Sequence, residues 1–344
     1  MTYKWLGVLS FLPMLTACNS NIDVSSKVLS KEQIRTIVNN INSQYPDADH
    51  ELKQNIATVA VKSIENMVFV EGGTFIMGDF RMPCMNADLN RPVWTPEANC
   101  YSQVEIVNRG ADIQHEVTLS SYSLSKYETE LLDYDVYLQA FNRPFEQSRD
   151  EGKYLERNSK DYRTYLPYFT NKPARRVDWQ DAKKYCQWIG RLTSLNVDLP
   201  TEAQWEYAAR SRGQNFYYAT NNGFKQYKGR GFYNPELGGY EEFTDETANI
   251  DTDLNPVGTF EANPLGVFDM TGNAAEWVND WYAKEYYKTS AKRDPKGPDS
   301  GEYKVVRGSG AMVTVARAFS PLKVSETAIR SGFRCSVQQA TKLY

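Results

Sequence analysis

The fold of this 344-residue chain is decided by residues 178–210, whose sequence is DWQDAKKYCQWIGRLTSLNVDLPTEAQWEYAAR. Asp178 precedes a helical pattern, and Asp is a favoured N-cap residue because its carboxylate accepts from the first turn. Thr201 and Gln204 have the spacing of a capping box, which predicts a second helix through Trp205 to Ala209. In the first helix, one face carries four side chains at helical spacing, those of Ala182, Tyr185, Cys186 and Ile189.

Two more helices are predicted towards the N-terminus. Ser30 and Gln33 form another capping-box pattern, and apolar residues follow at helical spacing until Pro46 breaks the run. A second amphipathic helix then carries Leu52, Ile56, Val59 and Ile64. We interpret this region, up to residue 66, as a helical hairpin that covers an edge of the main domain. A partner-docking element is the alternative.

From residue 67 the sequence changes to short strands, glycines and loops. Residues 67–78 predict two strands around a tight turn at Gly72-Gly73, and His115–Leu119 predicts another strand. Residues 128–141 have the pattern of a helix. Short strands, loops and helices therefore alternate after the helical hairpin.

Composition excludes several classes of protein. The chain carries 23 Tyr, 15 Phe and 7 Trp, a load typical of a packed globular core and not of a disordered chain. The net charge is −4, and basic and acidic residues are mixed along the chain, so the charge does not indicate nucleic-acid binding. The only histidines, His50 and His115, are too few for a centre that several histidines ligate.

The N-terminal segment has the features of a lipoprotein signal peptide. Lys4 is followed by an apolar stretch that is too short to span a bilayer as a helix. Leu15-Thr16-Ala17-Cys18 resembles a bacterial lipobox, in which Cys18 receives lipid and becomes the new N-terminus. Cys18 is followed by Asn19 and not by Asp, which resembles the signal that sorts bacterial lipoproteins to the outer membrane. We therefore expect a lipid anchor on the periplasmic face of the bacterial outer membrane; an ordinary secretory signal is the alternative.

The remaining cysteines suit an oxidising compartment. Four are left after Cys18, and an even number predicts two disulfides with three possible connectivities. Cys84 and Cys100 share one loop-rich stretch, which favours their pairing. Cys186 and Cys335 would then join a helix to the C-terminal end. A free thiol is the alternative.

Further motifs lie on both sides of residues 173–210. They are KYET (126–129), PVGTF (256–260), NPLGVFDM (263–270), GNAAEWVNDWY (272–282), VRGS (306–309) and GFRC (332–335).

Together with residues 173–210 these motifs resemble, in the right order from about residue 67 to 335, the formylglycine-generating enzyme (sulfatase-modifying factor) family. The resemblance implies a loop-rich α+β domain with an elaborated C-type-lectin-like fold, preceded by the helical hairpin, and a Cys186–Cys335 disulfide. The implied organisation is a signal peptide at 1–17, a lipidated tether and hairpin at 18–66, and the family domain at 67–337.

The reactive residues of the family are absent. Its oxidase binds copper(I) and substrate through two cysteines that shortly follow an Arg-Gly-Gly-Ser-Trp strand. Counted from Arg307, these positions fall on Val313 and Ala318, which offer no thiolate to copper. A related sulfoxide synthase needs three histidines for iron. We expect neither copper nor iron and assign no catalytic residue.

Calcium is the cofactor that the resemblance allows. Backbone carbonyls with carboxamide and carboxylate oxygens are typical calcium ligands. The alternative is that Asn249 and Asn273 cap turns without binding a metal. One family site matches Asn249 and Ile250 with Asp251 or Asp253, and a second matches Gly272, Asn273, Ala274 and Glu276.

A scaffold without its reactive residues predicts a binding protein. We expect a protein partner at residues 213–243, where aromatic and basic side chains alternate as in protein interfaces. Family resemblance suggests an immunity protein against a type VI secretion lipase effector. The alternatives are a periplasmic maturation enzyme and a glycan-binding protein. The predicted surface contains Tyr217, Tyr218, Lys225, Tyr227, Lys228, Arg230 and Tyr233.

The lipobox predicts that Cys18→Ser leaves an uncleaved or soluble protein without lipid, because the acylated sulfur is removed. Membrane fractionation with metabolic lipid labelling measures this. Retention of the lipid label by the variant would exclude Cys18 as the acylated residue.

Overall fold

The computed structural model describes residues 22–78, 82–83, 99–100, 113–145, 157, 159–160, 163, 170–216, 218–221, 223, 226–227, 231–234, 239–241, 254–308, 319–323 and 331–344. The helices are α1 (Lys31–Gln44), α2 (His50–Glu65), α3 (Leu131–Ala140), α4 (Trp179–Thr193) and α5 (Glu202–Ala209). In these parts of the chain, no helix is long and apolar enough to cross a membrane.

The strands are short and lie in several small sheets. In chain order, the strands are β1 (Met67–Val70), β2 (Gly73–Met77), β3 (Met82–Pro83), β4 (Asn99–Cys100), β5 (His115–Leu119), β6 (Tyr122–Ser125), β7 (Val197–Asp198), β8 (Gln226–Tyr227), β9 (Gly231–Asn234), β10 (Gly239–Glu241), β11 (Ala275–Trp281), β12 (Tyr303–Arg307), β13 (Phe319–Lys323), β14 (Ser331–Phe333) and β15 (Ser336–Val337).

The sheets join strands that are distant in the sequence. One sheet has the order β1-β6-β15-β7 and another β13-β12-β11-β14, while β2-β5, β3-β4 and β10-β9-β8 form separate sheets. The result is the loop-rich α+β fold that the family resemblance implies.

Each predicted helix cap is present. The Ser30 hydroxyl accepts from the Gln33 amide at 3.2 Å, and the Gln33 side chain accepts from the Ser30 amide at 2.8 Å. Thr201 and Gln204 form the same reciprocal pair at the start of α5, and Asp178 caps α4. These bonds satisfy amides that a helix N-terminus otherwise leaves without partners.

The helical hairpin shares one core with the main domain. Ile37, Ile41 and Ile56 are buried in the same cluster as Trp188 of α4 and Trp277 of β11. The side-chain amides of Asn40 and Gln44 donate to the backbone carbonyls of Leu192 and Arg191, at 3.0 and 3.3 Å respectively. Since these carbonyls belong to the last turn of α4, the hairpin completes the C-terminus of that helix.

The two strands predicted around Gly72-Gly73 are present, but they do not pair with each other. β1 pairs with β6, whereas β2 pairs with β5, so the glycines connect two different sheets. A Cβ on Gly72 would lie 2.2 Å from the carbonyl oxygen of Leu119. Glycine is required because the chain passes directly over the connection between β5 and β6.

A disulfide joins Cys186 of α4 to Cys335, which follows β14, and their Cα atoms are 5.5 Å apart. Cys84 lies outside the described residues. For Cys100 only the backbone is described, so the pairing of these two cysteines stays a prediction.

The Cys186–Cys335 disulfide closes a loop with a sequence separation of 149 residues. Replacing both cysteines by Ala should lower the free energy of unfolding by about 5 kcal/mol, because a long loop regains its chain entropy when it unfolds. Denaturant titration of the two proteins measures the difference, and non-reducing peptide mapping checks the connectivity. Equal unfolding midpoints would contradict the expectation.

Candidate functional site

The family motifs converge on two buried networks of charged side chains that both contact α5, through Trp205 in each case. The first centres on Glu276 of β11 and Arg334, and the second centres on Arg307 of β12. All three side chains are fully buried. Burying a charge is costly unless it is paired and hydrogen bonded, so the partners of these groups decide what the region can do.

In the first network, Arg334 and Glu276 form a two-bonded ion pair. Arg334 Nε donates to Glu276 Oε2, and Arg334 Nη2 donates to Oε1, each at 2.7 Å. Trp205 Nε1 of α5 also donates to Oε2, at 2.8 Å. The remaining guanidinium donors reach the carbonyls of Ser125, Lys126 and Phe268.

Next to this pair, Glu128 holds the turn that precedes β11. Its two carboxylate oxygens accept from the Asn273 side chain and from the Ala274 amide, both at 2.9 Å. Asn273 lies at φ +51°, and its Oδ1 accepts from the Asn255 amide at 2.8 Å. Burial, followed by the nearby Asp269 and Glu276 carboxyls, raises the pKa of Glu128 well above its usual range.

These contacts bear on the expected calcium sites. Both carboxylate oxygens of Glu276 accept from Arg334, and Asn273 Oδ1 accepts from a backbone amide. These side chains therefore do not fit a calcium shell in the arrangement seen here. Within the described residues, no group of three His, Cys, Asp or Glu side chains could hold a metal ion. Residues 249–253, which include the first predicted site, lie outside that part, so calcium binding stays a prediction.

The second network joins α5 to the end of β12. Arg307 donates through Nη1 to Glu202 at 2.8 Å and through Nη2 to Glu206 at 3.0 Å. Glu206 also accepts from Arg210 and from the Gly78 amide, and Glu202 accepts from the Tyr287 hydroxyl. The strand that precedes the family's redox positions is thus fixed by ion pairs. Val313 and Ala318 themselves lie outside the described residues.

Asp280, which is also buried, belongs to the same network. Its Oδ2 accepts from the Glu202 amide at 2.8 Å. Burial, with the Glu202 carboxylate as the second cause, raises the pKa of Asp280 to about 8. Nearby, Lys304 Nζ lies 3.8 Å from the ring centroids of both Trp179 and Trp281, and burial lowers its pKa to about 8.

The predicted partner surface is described only in part. Tyr218 is 6% exposed, so its ring packs inside and cannot belong to an exposed surface. For Tyr227 and Tyr233 the structure describes only the backbone, in β8 and β9. Tyr217, Lys225, Lys228 and Arg230 lie outside the described residues.

Sequence reasoning missed the roles of Arg307, Arg334 and Glu128. Each lies within a motif quoted above, but none was assigned a contact. For Arg307 and Arg334, a charged residue next to apolar residues is the signal that could have found them, because such a side chain needs a buried partner. Glu128 lies in the polar sequence KYETE and gives no such signal. The identity of the buried partner depends on distant parts of the chain.

The raised pKa of Asp280 should make the free energy of unfolding depend on pH. Folding raises its pKa from 3.8 to about 8, so the folded protein keeps a proton that the unfolded chain loses in this interval. The stability that protonated Asp280 contributes is complete below pH 3.8 and is lost as the pH rises through about 8. Between these two values the free energy of unfolding falls by up to about 1.4 kcal/mol per pH unit.

Asp280→Asn should flatten this decline, because the amide can still accept from Glu202 but cannot ionise. Denaturant titrations across the interval measure the free energy of unfolding. Asp299→Asn at an exposed position is the matched control and should retain the wild-type profile. Identical profiles for the two variants would show that Asp280 does not cause the decline.

Curated proteins with similar sequences fall into several groups. The serine/threonine-protein kinase pkn1 of Chlamydia caviae is 25% identical over 301 residues, which cover 85% of this chain and 41% of the relative. The formylglycine-generating enzyme of Streptomyces coelicolor is 36% identical over 139 residues, which cover 40% of this chain and 41% of the enzyme. This chain thus spans less than half the length of either relative. Chaperone protein LppX of Paenibacillus barcinonensis is 30% identical over 199 residues, covering 53% of this chain and 70% of that protein.

Solved structures and a family model agree on the fold. PvdO from Pseudomonas aeruginosa superposes with a TM-score of 0.53 at 22% identity, covering 79% of this chain and 94% of PvdO. The model of the sulfatase-modifying factor enzyme 1-like domain matches residues 52–339, and so begins inside α2. Because that match covers far more than half of the chain, this protein belongs to the sulfatase-modifying factor family, which includes the formylglycine-generating enzymes.

Proposed function

We propose that this protein is a lipid-anchored periplasmic binding protein that uses the family scaffold without its oxidase chemistry. The observation that carries the proposal concerns the cysteines. Cys335 is the only cysteine after Cys186, and the two are bonded to each other. The positions that match the family's redox cysteines hold Val313 and Ala318, so this part of the chain supplies no thiolate for copper or for a substrate disulfide.

The contacts of the motif residues support the same proposal. Glu276, Arg334, Glu206 and Arg307 are fully buried and bonded to one another or to the backbone. They stabilise the scaffold, while function in loop-rich folds depends on the loops. LppX, a relative named a chaperone, gives further support, because that name describes action on another protein.

The partner that we propose is a secreted lipase effector, against which this protein acts as an immunity protein. The family resemblance suggested this partner, and the outer-membrane anchor would place the protein where such an effector arrives. A maturation enzyme is the second candidate. A glycan-binding protein is the third.

The first test asks whether the protein oxidises cysteine. The purified protein, incubated with copper and a peptide that carries a sulfatase motif, should give no formylglycine by mass spectrometry. The enzyme from Streptomyces coelicolor serves as the positive control in the same buffer. Aldehyde formation by this protein above the peptide blank would overturn the non-catalytic proposal.

The second test asks whether the protein binds the lipase. The full chain should capture an effector lipase encoded beside its gene and inhibit its hydrolysis of phospholipid. Charge reversal of Lys225, Lys228 and Arg230 should weaken capture at least tenfold, a loss of about 1.4 kcal/mol. The matched control reverses Lys284, Lys288 and Lys292, three exposed lysines at a different site, and so changes the net charge equally.

The outcomes of this test separate the surface from the function. Weakening by the control to the same extent would attribute the loss to net charge and remove the basic residues 225–230 from the proposed surface. No capture and no inhibition of the lipase would overturn the immunity proposal.

A further inference from the structure

We propose that the tip of the helical hairpin, residues 45–54, faces the lipid surface to which Cys18 is anchored. The anchor then fixes which side of the domain points at the membrane. This inference rests on the proposed lipidation of Cys18 and goes beyond it, because a lipidated protein on a long, flexible tether would have no preferred orientation.

The segment that follows the anchor is docked on the domain. The Asp23 amide donates to Gln54 Oε1 at 2.9 Å, and Gln54 Nε2 donates back to the Asp23 carbonyl at 2.6 Å. The Ser26 hydroxyl donates to the Glu65 carboxylate. Leu29 is buried, while Ile22 and Val24 pack against the same core cluster. From Ile22 onward the chain therefore belongs to the folded domain.

These contacts give the segment a direction. Asp23 contacts Gln54, in the second turn of α2, whereas Ser26 contacts Glu65, the last residue of that helix. The segment therefore runs along α2 and begins at the end where the hairpin turns back. Tyr45, the C-cap of α1, and Asp49, the N-cap of α2, lie at that same end.

The length of chain between Cys18 and Ile22 limits how far the anchor can lie from the hairpin tip. Four residues span at most about 14 Å when fully extended. A domain of this size has a radius of gyration of about 20 Å. The lipid-bearing residue therefore cannot reach the opposite side of the domain, and the membrane must lie next to the start of α2.

The charges of the tip indicate that lipid, and not electrostatic attraction, holds it there. Asp47, Asp49 and Glu51 are exposed, and Lys53 donates to the Pro46 carbonyl. Attraction to anionic headgroups needs a cluster of basic residues, which this acidic tip does not provide. The unlipidated protein should therefore not bind vesicles, whether they are anionic or zwitterionic.

Hydrogen exchange on the full-length lipidated protein in nanodiscs tests the orientation. Residues 45–54 should take up deuterium several-fold more slowly than in the soluble Cys18→Ser protein, because the bilayer shields their exposed amides. The matched control carries about twenty additional Gly and Ser residues between Asn21 and Ile22, enough to separate the domain from the membrane. This variant should stay acylated and lose the protection.

The outcomes distinguish the anchor from the orientation. If mass spectrometry finds no acyl chains on Cys18, the proposed anchor fails, and this inference fails with it. If Cys18 is acylated but uptake at residues 45–54 equals that of the soluble protein, the anchor stands and the orientation is wrong. Protection that persists in the variant with the lengthened tether would also overturn the orientation.

Discussion

The buried ion pair between Arg334 and Glu276 is the interaction on which the rest of the structure depends. Neither side chain reaches solvent, so each needs the other: a lone buried partner would cost about 3–5 kcal/mol. The geometry that avoids this cost involves Trp205 and the carbonyls of Ser125, Lys126 and Phe268. The ion pair thereby fixes the positions of α5, β11 and the end of β6 relative to each other, through Glu276 for the helix and through Arg334 for β6.

Helix α5 connects this pair to the second network. Trp205 contacts Glu276, while Glu202 and Glu206, four residues apart on the same helix, accept from Arg307. A helix of eight residues thus carries both carboxylates that pair with Arg307 and the indole that bonds to Glu276, the partner of Arg334. This explains why the sequence around α5 is so dense in large and charged side chains.

Membership of the family does not by itself assign the family's chemistry to this protein. The motif residues that the structure describes stabilise the scaffold, and the redox positions in the sequence hold Val313 and Ala318. The helical hairpin adds a feature of its own, because it completes the C-terminus of α4 and also receives the segment that follows the proposed anchor. The segment after the proposed anchor and the core are thus connected through α2.

The sequence by itself determined the features that depend on neighbouring residues. The caps at Ser30, Asp178 and Thr201 were predictable because a cap joins groups only three residues apart. The family motifs likewise predicted the Cys186–Cys335 pairing that the structure contains. Only the tertiary structure decided which strands pair with β1 and β2 on the two sides of Gly72-Gly73, that Tyr218 is buried, and which carboxylates meet Arg307 and Arg334. Those outcomes depend on contacts between residues far apart in the chain, where local spacing carries no information about the partner.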